Sequence, residues 1–124
     1  MSKIYITLPL PPSVNCLYAN SRKGRTKTSI YRTFIDSVVN YFNQLDTIYA
    51  ITWNKWLTVE YSYFLPCYTK AGKIKKIDVE NFIKATSDVL GKNIEWFDDS
   101  KIKTMIIKKN DSDRNEVDIT ISEL

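Results

Sequence analysis

Residues 75–91 read KKIDVENFIKATSDVLG, and their pattern decides the fold class. Val79, Phe82, Ile83, Thr86, Val89 and Leu90 recur at helical spacing, leaving Glu80, Lys84 and Asp88 on the polar side at i, i+4 and i+8. Asp78 stands where an N-cap belongs, and Gly91 where a left-handed C-cap belongs. The segment therefore predicts a punctuated amphipathic helix with one apolar face to bury.

Outward from it, Trp56–Leu65 (WLTVEYSYFL) is β-branched and aromatic and stops at Pro66, which predicts a strand covered on both faces. Lys101–Lys109 and Glu116–Ser122 alternate. Ile102, Thr104 and Ile106 fall on one face of the first and Val117, Ile119 and Ile121 on one face of the second, with NDSDRN between them. An antiparallel hairpin is expected there. Tyr31, Phe34, Ile35, Val38, Phe42 and Leu45 predict an earlier helix, and Ile4, Ile6 and Leu8 a first strand ending at Pro9. The stretch SRKGRTKTS at 21–29 has nothing apolar to bury and reads as an exposed, mobile basic loop. The order β, α, β, α, β, β gives a mixed α/β fold, a mixed sheet with helices packed on it, in one domain spanning 1–124.

Composition narrows the chemistry. The 124 residues contain no histidine, which excludes Ser-His-Asp and Cys-His mechanisms and imidazole-ligated metals. Cys16 and Cys67 stand far apart in no zinc or disulfide spacing, which fits a reducing, cytoplasmic setting. Neither a signal-peptide core nor a membrane-length apolar run is present, so a soluble protein without a membrane partner is expected. Eighteen basic against 14 acidic residues give +4, a modest bias toward polyanions. The glycines are scattered, so a phosphate-cradling loop is absent. Asp111, Asp113, Asn115 and Asp118 imitate a calcium loop, but Glu116 and Ser122 occupy its glycine and glutamate positions, and a turn is the better reading.

The charge distribution is uneven. Four lysines crowd KAGKIKK at 70–76, whereas 78–99 holds six carboxylates and two lysines. Asp98 and Asp99 follow Trp96 and Phe97 just before the expected hairpin, and a short loop there allows one of them to return toward Asp78. Carboxylates converging without histidine suit Mg²⁺ or Mn²⁺, which prefer oxygen ligands, and a lysine among them suits a phosphate oxygen. The same pattern also describes a solvated helix face with a capping aspartate, and Lys101, Lys103 and Lys109 read equally as a phosphate track or a solvated strand face.

Three segments in order, LPLPPSVNCLY at 8–18, KKIDVENFIKATSDVLG at 75–91 and WFDDSKI at 96–102, resemble the RusA family of Holliday-junction resolvases. The resemblance covers most of the chain. It implies a small homodimeric endonuclease, often found in phages and prophages, that uses Mg²⁺ or Mn²⁺ to nick two strands of a four-way DNA junction symmetrically. Carried over by position, Asp78, Glu80 and Asp99 match the metal-binding catalytic carboxylates and Lys84 the catalytic lysine. Asn81, Asp88 and Asp98 match supporting positions, and Asn15 and Tyr18 the N-terminal motif. Glu80 departs from the family's aspartate by one methylene. Arg22, Lys23, Arg25, Lys27, Lys73, Lys75 and Lys76 are the expected DNA contacts. A non-catalytic branched-DNA binder and a nuclease for another DNA structure are the alternative readings.

Overall fold

The computed structural model describes residues 3–22, 24–45 and 53–123. Strands β1 (Lys3–Pro9), β4 (Leu57–Leu65), β5 (Ile102–Asp111) and β6 (Glu116–Glu123) form one mixed sheet. Helices α1 (Ser29–Asn43) and α2 (Glu80–Asn93) complete the mixed α/β fold. A separate two-stranded ribbon, β2 (Tyr18–Ser21) and β3 (Gly24–Lys27), precedes α1. Ile4, Ile6 and Leu8, Leu57 through Leu65 at alternate positions, and Val117, Ile119 and Ile121 form one core with the buried faces of the helices. That burial is the main force fixing α2 on the sheet.

The expected hairpin of the last two strands is not formed. The sheet runs β1-β6-β4-β5, with β4 parallel to β5 and antiparallel to β6. The turn after Asp111 instead straddles the end of β4, where the Ser112 amide donates to the Leu65 carbonyl at 3.0 Å. Strand β4 buries one face fully and the other partly, and a ladder on each side satisfies its backbone. A register shift between Leu57 and Thr58 also splits the expected Ile102, Thr104, Ile106 face. Ile102 pairs with Leu57, whereas Thr104 and Ile106 pair with Thr58 and Glu60, on the opposite side.

Three further expectations are corrected. The basic stretch 21–29 is largely the β2–β3 hairpin, turned with Gly24 at φ +101°, and Thr28 caps α1 by accepting from the Tyr31 amide. Helix α2 is N-capped at Val79 rather than Asp78, although the Asp78 carboxylate still accepts from the Glu80 amide at 3.2 Å. Gly91 lies inside α2, which ends at Asn93. Among the described residues no helix is long and apolar enough to cross a membrane.

Candidate active site

Helix α2 is locked to β4 by two buried hydroxyl pairs. The Thr86 hydroxyl donates to the Phe82 carbonyl at 2.8 Å, so the Tyr63 phenol, 2.9 Å away, must be the donor to Thr86. Tyr61 and Ser87 pair at 2.9 Å one residue further along the helix. Burial pushes the Tyr61 phenol up to about 12, and Tyr63 is raised by the same cause. The polar face of α2 is thereby held in a fixed orientation.

That face opens onto a concavity of about 680 Å³ lined by Glu80, Lys84, Ser87, Asp88, Asp99 and Ser100, with Met105 and Ile107 of β5 as its apolar wall. The Asp98–Asp99 step brings Asp99 there. Asp98 accepts from the Ser100 amide at 2.9 Å, which holds its carboxyl below the usual range and shapes the single turn Asp99–Lys101. Asp98 is thus the cap of that turn, and Asp99 the residue it presents. Lys84 and Asp88 form an exposed ion pair at 3.4 Å, one turn apart. Ser87 and Ser100 escaped the sequence reading, although Ser87 lies two turns after Glu80 and the spacing alone would have found it.

Asp78 is placed differently. With Asn81, Lys75 and Lys76 it lines a neighbouring cavity of about 500 Å³, floored by Leu10, Leu65, Pro66 and Phe82. The lysine-rich segment folds into a small turn, with Tyr68 bridged to Ile74 and the Lys75 amide donating to the Cys67 carbonyl at 2.8 Å. Lys73 is exposed at that turn. Lys109 donates to the Ile77 carbonyl at 2.9 Å, Lys101 ends the turn before β5, and Lys103 is the residue that the register shift leaves unpaired. The three do not form a continuous track.

Asn15 is exposed in the short 3-10 turn Val14–Cys16, which packs against α2. Tyr18 meets Tyr31 edge-on at 5.7 Å and carries the Arg25 guanidinium over its ring at 4.9 Å. Arg22 is exposed and Lys27 half-buried on the same ribbon, and Lys23 lies outside the described residues.

The donors of the acidic concavity are carboxylate and hydroxyl oxygens, which fits a hard divalent cation, one that takes one or two carboxylates and keeps several waters. Among the described residues no three carboxylate or cysteine side chains are gathered closely enough to hold an ion by themselves. The arrangement therefore fits an ion whose shell is completed by water and substrate oxygens. A sequence model of the RusA family, endodeoxyribonuclease RusA, matches residues 9–122. No curated protein matches the chain.

Proposed function

The chain belongs to the endodeoxyribonuclease RusA family, and from that premise we propose that it resolves four-way DNA junctions by paired, Mg²⁺- or Mn²⁺-dependent hydrolysis of phosphodiester bonds in recombination and repair. The observation that carries this reading is the convergence of Glu80, Lys84 and Asp99 from α2 and the Asp99–Lys101 turn on one concavity. In it Glu80 and Asp99 would hold the cation, with water and substrate oxygens filling the shell and Asp78 acting from the neighbouring cavity. The ion supplies Lewis acidity at the phosphate when bound. Lys84 exchanges its partner Asp88 for a non-bridging phosphate oxygen and offsets the charge that develops there. Its pair with Asp88 is solvent-exposed, so little energy opposes the exchange.

The basic residues of the β2–β3 ribbon and of Lys73, Lys75 and Lys76 supply the phosphate grip. A homodimer supplies the two-fold axis that paired cuts require.

The test incubates an end-labelled four-way junction and a linear duplex of the same sequence with Mg²⁺, Mn²⁺ or chelator. Symmetric, metal-dependent nicks in the junction alone are expected. Equal cutting of the duplex means a nuclease for another structure, and tight junction binding without cleavage in any metal means a binding protein.

A further inference from the structure

Trp56 stands out among the three tryptophans. Trp53 and Trp96 are 8% exposed and pack together with ring centroids 4.9 Å apart, whereas Trp56 is 55% exposed. The strand that follows explains the placement. Leu57 pairs with Ile102 at the start of the parallel β4–β5 ladder, which sets Trp56 beside Lys101. Trp56, Lys101, Lys55 and Asn54 together line an open hollow of about 460 Å³. Lys101 closes the same turn that presents Asp99, and it also lines the neighbouring hollow that contains Asp88, Asp98 and Asp99. An exposed indole with cations beside it thus adjoins the acidic site.

We propose that Trp56 is a stacking platform for an unstacked nucleobase of the DNA strand that enters the acidic concavity, with Lys55 and Lys101 neutralising the phosphates on either side of that base. The proposal rests on the nuclease reading for the identity of the strand. An aromatic face stacks on any base, and cations beside it track the backbone, which is how proteins hold single strands without reading sequence. The charge disfavours a second copy of this chain as the occupant. A two-fold contact centred on Trp56 would bring Lys55 and Lys101 against the same lysines of the partner. Neither lysine is in an ion pair with a described residue. Sequence reading missed the site because a tryptophan opening an apolar strand looks like core.

The experiment reads tryptophan emission with metal chelated, so that it needs no cleavage. The protein is titrated with a short single-stranded oligonucleotide and with an abasic strand of equal length and charge. Quenching by the base-bearing strand alone is expected, because the other two indoles are buried. Trp56→Ala should lose the quenching and bind the base-bearing strand roughly 5- to 150-fold more weakly, and Trp56→Phe should keep most of the affinity. Equal quenching by both strands, or unchanged affinity in Trp56→Ala, overturns the proposal. So does an emission change on raising protein concentration without DNA, which would mean that another copy covers the indole. If Trp56→Ala does not fold, the two-strand comparison in the unaltered protein still decides. Junction cleavage by the same preparation judges the nuclease reading separately: cutting without quenching removes only the stacking, and quenching without cutting removes only the nuclease.

Discussion

Asp78 and Glu80 stand two residues apart yet open onto different hollows. Glu80 shares a concavity with Lys84, Asp88 and Asp99, whereas Asp78 shares an apolar-floored cavity with Asn81, Lys75 and Lys76. Asp78 precedes the helix, which starts at Glu80 after the Val79 cap, so the helical spacing that aligns Glu80 with Lys84, Ser87 and Asp88 does not extend to it. The walls differ as well. The acidic concavity is framed by α2, pinned through its tyrosine–hydroxyl pairs, and by β5. The other cavity is rimmed by the lysine-bearing segment between β4 and α2. A motif written as one unit in sequence is thus divided in space between a rigid charged wall and a basic rim.

The largest expected effect tests that division. Glu80→Gln and Asp99→Asn should each lower the single-turnover rate on a fully bound junction by roughly 10²- to 10⁴-fold, a size typical of losing one positioned catalytic group. Asp78→Asn should lose as much while leaving junction binding intact, which would make the two hollows one working site. A loss below about tenfold at Asp78 would confine the chemistry to the Glu80–Asp99 side.

The rigid wall has its own prediction. Thr86→Ala leaves the buried Tyr63 phenol without its acceptor, a cost of about 1–3 kcal/mol. Tyr63→Phe removes the donor instead and leaves Thr86 bonded to Phe82, a cost of about 0.5–1.5 kcal/mol. Urea denaturation of the two variants should rank them in that order, and the reverse order would show that the orphaned phenol is not the dominant cost.

Alkali loosens the same lock. Burial raises Tyr61 from 10.0 to about 12. The neutral phenol is the form the fold favours, so its contribution is complete below the unfolded value of 10.0 and is lost as the pH climbs toward about 12. The melting temperature should fall across that window, and less steeply in Tyr61→Phe. A flat profile would mean that the phenol ionises without disturbing the wall.

Much of this was legible in the chain itself. The stripe from Val79 to Leu90 placed α2, because a helix's contacts repeat within a few residues, and the Asp98–Asp99 pair placed the turn before β5. What failed was non-local. Alternation in Lys101–Lys109 and Glu116–Ser122 identified strands but carried no information about a third strand lying between them, since it fixes which side chains share a face and not which backbone lies at each edge. The ribbon at Tyr18–Lys27 was missed because it buries little. Its order comes from backbone pairing and the Arg25–Tyr18–Tyr31 stack, which hydropathy does not register.

That ribbon gives the smallest effect, and it compares the two basic regions as grips on DNA. Arg25 sits over the Tyr18 ring at 4.9 Å, a contact that helps hold its charge in place, whereas Lys76 is an exposed side chain with no ion pair among the described residues. If each contacts one phosphate, Arg25→Ala and Lys76→Ala should each reduce the slope of log affinity against log salt by about 1. The weakening should be the same for every junction sequence, because a phosphate contact reads none. A slope change at Lys76 alone would leave the ribbon as scaffold and put the whole grip beside the apolar-floored cavity. A change at Arg25 alone would move the grip to the β2–β3 ribbon.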